Sequence, residues 1–343
     1  SEGRSAGNES TGDGDALVIS NNTVRGGERG ISVYGSFTSS ARSQNLTVHN
    51  NDVQDADDNG LYITGYNNVT ITDNFVDGLT SNFSDGMYSS DLENFTVTGN
   101  SFKGGDNGWE GQDNNFDNTV TSPSIVANNM FIGNDDGLYL DDIDMVNIYH
   151  NSTSGADYGL YLNDQTNLDI RNNIFTSNDG DIAFYYADAA TIGFSVLDFN
   201  LYYTTGATIA RSTSGNYADL TAFQAAFSGT NASSVVGDPT FLDPTSDLHA
   251  AGIAANDVGD NSVGITVDID GDTRPLAPST VVDLGADEFS PPSCAFPGGL
   301  ALVGATDAAA TVSWVEGGST TQWSVEYGLS GFSTGSGTSI VVT

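Results

Sequence analysis

The 343-residue sequence predicts an all-β fold, a right-handed parallel β-helix (a solenoid) followed by a truncated β-sandwich module. Three observations support this prediction. An apolar-polar-apolar triplet ending in an asparagine pair recurs every 22 to 29 residues, a glycine-led strand recurs in phase with it, and the repeats contain no helical periodicity. A unit of this length cannot bury its apolar side alone, so successive units must stack.

The first element of each repeat ends in asparagine, as in LVISNNTV (17–24) and LDIRNNIF (168–175). Asparagine tolerates left-handed backbone angles, and its amide can bond to the same residue one turn away. His49 and His150 lie in these turns and are interpreted as turn residues. We expect a structural ladder from the second asparagine of each unit: Asn22, Asn51, Asn74, Asn100, Asn129, Asn151 and Asn173.

The second element begins with glycine, as in GLYL (137–140 and 159–162) and GWEG (108–111). Strand alternation places the leucines of GLYL inside and the tyrosine outside. One carboxylate therefore interrupts a predicted outward row, whose members are Ser32, Tyr62, Tyr88, Glu110, Tyr139, Tyr161 and Ala183.

The two elements together, over roughly residues 15–205, resemble the repeat of the pectate-lyase-like right-handed β-helix superfamily. The resemblance implies the fold, and it implies that ligands lie along the face of the glycine-led strands. It does not choose a function, because that superfamily includes lyases, hydrolases, epimerases, esterases, tailspikes and adhesins.

The composition is strongly acidic, with 45 acidic residues against 8 lysines and arginines and a net charge of -37. Adaptation to concentrated salt and calcium binding both remain open as explanations. We expect no nucleic-acid partner, because a basic surface is missing, and no membrane insertion, because no apolar run approaches about 18 residues. The single cysteine, Cys294, excludes an internal disulfide framework, and a chain beginning at Ser1 is expected to be part of a longer or processed product.

Acidic residues flank the glycine-led strands. The sequence alone establishes no cofactor. Calcium is the candidate, and its predicted ligands are Asp85, Asp106, Asp135 and Asp136. Exposed aromatics beside carboxylates suit sugar rings, so the predicted substrate-binding residues are Tyr62, Tyr88, Tyr139, Tyr161, Asp141 and Asp142. The predicted catalytic residues are Glu110, Lys103, Tyr88, Tyr139 and Asp106.

Two functions follow as hypotheses. The first is a secreted or cell-surface protein that binds a polysaccharide or cell-surface glycan without catalysis. The second is a polysaccharide-degrading enzyme on the same face. A lyase is favoured over a hydrolase, because the Gly-His-Gly and Arg-Ile-Lys motifs of polygalacturonase-like hydrolases are missing. The expected location is extracellular or at the cell surface.

The predicted domains are repeats in 1–205, C-terminal coils with a cap in 206–290, a linker in 291–298, and a partial fibronectin type III-like domain in 299–343. Segments 236–260 and 268–289 resemble those that close bacterial β-helices, which implies cap turns and an arginine-carboxylate pairing for Asp243, His249, Asp270, Arg274, Asp283 and Glu288. The core and strand residues of that sandwich are expected to include Trp314, Trp323 and Tyr327.

Overall fold

The structure is a computed structural model. It describes residues 16–38, 42–79, 81–115, 122–187, 193–291, 298–306, 309–315, 322–328 and 337–342. The chain divides into two compact units, Ser1–Ser290 and Pro291–Thr343. Within the described residues almost all regular structure is β, the exceptions being helix α1 (Leu220–Ala226) and a 3-10 turn at Asn261–Val263.

The first unit is a right-handed parallel β-solenoid of about seven turns, so the predicted fold class is confirmed. Each complete turn contributes one strand to each of three sheets, and the residues after the last complete turn add the remaining strands. The first sheet contains β1 (Leu17–Ser20), β4 (Ser43–His49), β7 (Tyr66–Thr72), β10 (Glu93–Thr98), β13 (Ser124–Ala127), β16 (Val146–Tyr149), β19 (Leu168–Arg171) and β22 (Phe194–Asp198).

The other two sheets have nine strands each. The second contains β2 (Thr23–Arg25), β5 (Asp52–Gln54), β8 (Phe75–Asp77), β11 (Ser101–Lys103), β14 (Met130–Ile132), β17 (Ser152–Gly155), β20 (Ile174–Ser177), β23 (Leu201–Thr204) and β26 (Val235–Val236). The third contains β3 (Ile31–Tyr34), β6 (Leu61–Thr64), β9 (Met87–Ser90), β12 (Trp109–Gln112), β15 (Asp136–Asp141), β18 (Tyr158–Asn163), β21 (Ile182–Tyr186), β24 (Ala210–Ser212) and β25 (Gly215–Tyr217).

The core lies between the three sheets and is built from equivalent residues in register. Leu46, Val69 and Phe95 pair across neighbouring strands of the first sheet and are each about 1 % exposed. A fully buried side chain of this kind contributes about 1.5–3 kcal/mol relative to an exposed one. Stacking therefore provides the stability that a single repeat lacks.

The predicted asparagine ladder is confirmed. In each step the side-chain nitrogen Nδ2 of one asparagine donates to the side-chain oxygen Oδ1 of the next at 2.9–3.0 Å. The ladder has one more member than predicted, because Asn173 donates to Asn200. The residue before each ladder asparagine, such as Asn128 or His150, takes the left-handed backbone angle, which leaves the second residue free to stack.

The open end of the solenoid is covered by helix α1. Asp219 caps the helix by accepting a hydrogen bond from the Ala222 amide. Phe223 and Phe227 are buried in the core cluster, and the ring of Phe223 lies 5.4 Å from that of Phe184. Helix α1 therefore closes the apolar interior of the last turn.

The segment after the helix, residues 237–290, does not lie over that end. It runs back along the outside of the second sheet, where Val267 accepts a hydrogen bond from Asn128 and Asp260 accepts one from Asn172. Its apolar side chains form two further clusters with outward residues of the second sheet. Their members include Met130, Ile132, Ile174, Leu201, Leu248, Ala255, Leu284 and Ala286. The cap-like motifs thus build a lateral strap, which we call the C-terminal strap.

The expected arginine-carboxylate pairing is present in this strap. Arg274 is fully enclosed and pairs with Glu288 at 2.9 Å, while its other terminal nitrogen donates to the Gly285 carbonyl. Asp283 is buried in the same region and accepts from the Phe289 amide. These residues hold the fold of the strap.

The second unit contains two antiparallel hairpins, β27 (Gly298–Ala305) with β28 (Ala310–Val315), and β29 (Trp323–Tyr327) with β30 (Thr338–Val342). Trp314 and Trp323 meet edge to face with their ring centres 5.6 Å apart. Tyr327 lies in β29, as a strand residue, and is 54 % exposed. The fibronectin type III resemblance of this unit stays a prediction, and so do the domain boundaries. Cys294 lies outside the described residues.

Candidate functional site

The outer face of the third sheet carries the predicted row of tyrosines. Tyr62 and Tyr88 stack with ring centres 4.9 Å apart, and Tyr139 and Tyr161 stack at 4.4 Å. The row then continues to Tyr185, whose edge meets Tyr161 at 5.1 Å. We call Tyr62, Tyr88, Tyr139, Tyr161 and Tyr185 the tyrosine row.

The last member of this row differs from the prediction. Ala183 was expected to point outward, but it is fully buried, and Tyr185 pairs in register with Tyr161. The inward position in this turn belongs to Phe184, which pairs with Leu160. The alignment failed here because it set Asp181 at the position of the strand-leading glycine, whereas the register places Ala183 opposite Gly159.

Glu110 interrupts the row between Tyr88 and Tyr139, as the alternation predicts, and pairs in register with both. The two tyrosines are two strands apart, which corresponds to about 9.6 Å. Gln112 on the same strand accepts a hydrogen bond from the Tyr88 hydroxyl and donates to the Glu110 carboxylate. The Glu110 side chain is thus held on the sheet between two aromatic rings.

The ring faces that point away from this gap are covered. Tyr62 covers one face of Tyr88. The other face of Tyr62 is covered by Arg29, whose guanidinium lies 3.7 Å from the ring centre. Tyr161 covers one face of Tyr139. The faces of Tyr88 and Tyr139 that point toward Glu110 have no stacked tyrosine among the described rings of the row.

Acidic residues reach this face through tight turns between the second and third sheets. A Cβ atom on Gly104 would lie 1.8 Å from the Asn107 carbonyl oxygen, and one on Gly133 would lie 1.9 Å from that of Asp136. Only glycine fits such a close approach. Each turn consequently delivers a polar pair, Asp106 with Asn107 or Asp135 with Asp136, to the start of a strand.

Two columns of polar side chains result. In the buried column, Asp85 accepts hydrogen bonds from the amides of Asn59 and Asn107, each at 2.9 Å. In the more exposed column, the backbone amide of Asp135 bonds to the Asp106 carbonyl, and that of Asp157 bonds to the Asp135 carbonyl. Asp136 belongs to the buried column, where it accepts from the Tyr158 amide at 3.2 Å.

Burial, together with the Glu110 charge, raises the pKa of Asp85 to about 8. Burial also raises the pKa of Glu110, although its hydrogen bond to the Asp85 carboxyl opposes the shift. A carboxyl-carboxyl hydrogen bond needs one proton. The Asp85–Glu110 pair therefore holds a proton at neutral pH, and it does so beside the gap in the tyrosine row.

The neighbouring carboxyls are also protonated more readily than usual. Burial and the hydrogen bond with Asp135 raise the pKa of Asp106 to about 6. Burial and the charge of Asp157 raise the pKa of Asp136 to about 8. Groups that titrate near neutrality are concentrated at sites of proton transfer and ligand binding in proteins.

The structure separates some of the predicted site residues from this face. Lys103 ends β11 of the second sheet and pairs with Asp77 at 3.6 Å, so it is not brought beside Glu110. Asp141 lies on the face and accepts from the Asn163 amide at 2.7 Å. Asp142 lies in the turn after β15, with a left-handed φ of 50°.

The four predicted calcium ligands do not converge on one point. Asp85 and Asp136 lie in the buried column, and Asp106 and Asp135 lie in the exposed one. Among the described residues, the group of carboxylates and imidazoles that converges within 4.8 Å is different, and consists of His249, Asp270 and Asp287.

Sequence reasoning missed this second cluster, because His249 and Asp270 were assigned to cap turns. His249 Nε2 lies 3.0 Å from Asp270 Oδ2, and Nδ1 bonds to the Asp247 carboxylate. A signal was available in the acidic residues two positions before His249 and around Asp270. It could not be used, because the sequence does not show that the two parts of the strap meet.

Three sheets of stacked parallel strands enclose an apolar core, and a buried asparagine ladder lies in the turns between the first and second sheets. These features define the chain as a parallel β-helix protein. Residues 20–193, just over half of the chain, match the sequence model of the family described as periplasmic copper-binding protein (NosD). The chain belongs to that family. No curated protein and no solved structure gave a match. In the described residues no helix is long and apolar enough to cross a membrane.

Proposed function

We propose that this β-helix protein acts outside the cytoplasm and binds polysaccharide along the outer face of the third sheet, with the gap at Glu110 as the central subsite. The interruption of the tyrosine row is the observation that carries the proposal. The family description names the periplasm, which supports the location.

The size of the gap supports a ring-shaped ligand. Carbon atoms in contact lie about 3.5–4.0 Å apart, so one ring between two aromatic faces needs about 7–8 Å. Tyr88 and Tyr139 are about 9.6 Å apart along the stack. The apolar face of a sugar can then lie against a tyrosine ring, while its hydroxyls meet the Glu110 carboxyl and the Gln112 amide.

Affinity electrophoresis and calorimetry over a polysaccharide panel test this function. We expect Tyr139→Ala to weaken binding of the best ligand about tenfold, since one aromatic contact contributes roughly 0.5–1.5 kcal/mol beyond its buried area. Tyr185→Ala is the matched comparison and should weaken binding less, because this ring lies two rungs beyond Tyr139 and outside the central subsite. Equal affinity of wild type and Tyr139→Ala, or no binding to any member of the panel, would contradict the proposal.

Lyase activity on the same face is the alternative, and the carboxyl groups with raised pKa values beside Glu110 favour it. Proton abstraction beside a uronate carboxyl group needs a group that titrates near the working pH. The pKa of Asp106, raised to about 6 by burial and by Asp135, meets this condition. Ultraviolet detection of unsaturated products is the assay, and product formation that is abolished in Glu110→Gln would establish catalysis.

Copper binding is a second candidate function, because the family description names copper and not calcium. The residues that would hold it are His249, Asp270 and Asp287, since imidazole and carboxylate together suit Cu²⁺. The other described histidines fit less well: His150 is fully enclosed, with Nε2 facing the Asn172 amide, and His49 bonds to Thr72. Bound copper would supply a Lewis acid or a redox centre.

A further inference from the structure

We infer that His249, Asp270 and Asp287 form a divalent transition-metal site that fastens the C-terminal strap. The inference rests on the second candidate function, copper binding, and is independent of polysaccharide binding. It assigns the metal to a position that lies outside residues 20–193, the part of the chain that matches the family.

The ligand atoms lie close to the distances that a metal ion requires. Metal bonds to imidazole nitrogen and carboxylate oxygen are about 2.0–2.2 Å long, so two ligands on one ion are about 3 to 4.4 Å apart. His249 Nε2 and Asp270 Oδ2 are 3.0 Å apart, and all three ligand atoms lie within 4.8 Å of one another. Small side-chain movements are therefore sufficient to place an ion among them.

The backbone around the ligands is held in place. The buried carboxylate of Asp268 accepts hydrogen bonds from the amides of Asp270 and Asp272, which closes the turn that carries Asp270. Its other oxygen accepts from the Glu288 amide at 3.0 Å. Asp268 thereby joins the two stretches of the strap that present Asp270 and Asp287.

The orientation of the imidazole is also set. Asp247 bonds to Nδ1 of His249, which leaves Nε2 facing Asp270. A carboxylate on the far nitrogen is the usual partner of a metal-binding histidine, because it fixes the tautomer and the direction of the ring. The imidazole therefore already has the orientation that a metal-binding histidine needs.

The charge of the cluster calls for a cation. Three carboxylates surround one imidazole, so the group is negative even when the imidazole is protonated. Arg274 is near enough to act on Asp287, but it is already paired with Glu288. No hydrogen-bond donor reaches the Asp287 side chain among the described residues. A divalent ion would balance this charge.

An ion can reach the cluster from solvent. A cavity of about 380 Å³ lies between the strap and the solenoid, and its lining includes Asp247, His249 and Asp270 on one side and Asp73 on the other. Asp270 itself is exposed. The cluster is thus open to an ion from solvent on the side of Asp270.

Equilibrium dialysis of the chelator-treated full chain against Cu²⁺, Zn²⁺ or Ca²⁺ tests the site. We expect one tight equivalent of Cu²⁺, weaker Zn²⁺ and no tight Ca²⁺. His249→Ala and Asp287→Asn should each abolish tight binding, and Asp247→Asn should weaken it about tenfold. His49→Ala is the matched control and should bind like wild type. The Cu²⁺ electron paramagnetic resonance spectrum should show coupling to one nitrogen that disappears in His249→Ala.

The outcomes separate the site from the function. Wild-type affinity in His249→Ala and Asp287→Asn, with each variant folded by circular dichroism, would place the metal elsewhere and overturn the site while leaving copper binding standing. A loss of binding in His49→Ala equal to that in His249→Ala would also overturn it. No tight binding of Cu²⁺ or Zn²⁺ by wild type would overturn both proposals.

Discussion

The asparagine ladder and the outer face of the third sheet are both built by stacking one residue type turn after turn, but they differ in completeness. Every ladder asparagine from Asn51 to Asn173 donates to the next and accepts from the previous one, and all are buried and neutral. The tyrosine row is broken by Glu110, and beside it the carboxyls of Asp85 and Asp106 have raised pKa values caused by burial.

This difference separates structure from function. A complete ladder satisfies its own polar groups and has no capacity left for a ligand. A broken row leaves ring faces and titratable carboxyl groups that an external group can contact. In a repeat protein, we therefore expect a binding site where a regular column stops repeating, and the following changes test that rule.

Removing a ladder residue should have the largest effect. Asn151→Ala deletes the donor to the Val126 and Tyr149 carbonyls and the acceptor of the Asn129 amides. Several buried groups lose their partners, so we expect a loss of about 3–5 kcal/mol in the free energy of unfolding, measured by urea denaturation. Asn163→Ala, on the outer face, is the control and should cost less than 1 kcal/mol by the same principle.

A loss for Asn151→Ala no larger than that for Asn163→Ala would show that the ladder does not carry the stability of the turns. Far-ultraviolet circular dichroism should confirm that both variants keep the β fold before their midpoints are compared.

Replacing Asp85 of the buried column by asparagine should change the pH dependence of the free energy of unfolding. Burial raises the pKa of Asp85 from 3.8 to about 8, so the protonated carboxyl contributes to the free energy of unfolding fully below pH 3.8, and this contribution is lost as the pH rises toward 8. Between pH 5 and pH 8 we expect the free energy of unfolding of Asp85→Asn to rise by on the order of 2–4 kcal/mol relative to that of wild type. Urea midpoints at both pH values measure this, with the exposed Asp179→Asn as control. A parallel pH dependence of Asp85→Asn and wild type would contradict the assignment.

Completing the tyrosine row should stabilise the fold and remove the proposed subsite. Glu110→Tyr places a ring between Tyr88 and Tyr139 and removes a buried carboxyl, so we expect a gain of about 1 kcal/mol. Polysaccharide binding should fall below detection in the same variant. Glu110→Gln is the control and should show no gain from stacking. Undiminished binding by Glu110→Tyr would mean that the gap does not hold the ligand.

The smallest effect should come from the exposed acidic column. Raising NaCl from 0.1 to 1 M shortens the screening length from about 10 to 3 Å, which weakens the repulsion among Asp106, Asp135 and Asp157. Wild type should therefore become more stable with salt. The increase in the free energy of unfolding between 0.1 and 1 M NaCl should be about 0.5 kcal/mol smaller in Asp135→Asn than in wild type. An unchanged salt dependence in this variant would place the stabilising effect of salt elsewhere on the surface.

Local alternation was enough to predict the asparagine ladder, the outward tyrosines and the break at Glu110, because these depend on the period of a strand and on stacking. It failed at Ala183, because in that turn an alanine takes the position of the strand-leading glycine and the sequence does not mark the change. It also failed for Lys103, whose strand belongs to a different sheet from Glu110.

The C-terminal strap could not be predicted for a different reason. Its motifs describe turns, and turns do not specify the surface on which an irregular segment packs. The cluster around His249 depends on that packing, since Asp270 and Asp287 reach the histidine only after the strap has folded on Asp268. Long-range placement, and not local propensity, determined which residues met.

The course of the strap has a consequence for the order of folding. Neighbouring turns close loops of about the repeat length, whereas the contacts of Ala286 with Ser152 and of Arg274 with Asn128 join residues 134 and 146 positions apart. Contacts so distant in sequence are costly to form early. The strap can dock only on turns that already exist, so we expect its docking to be the last kinetic step of this unit. Until then the apolar residues of the second sheet, such as Met130 and Ile174, stay open to water, and the intermediate is the state most prone to aggregate.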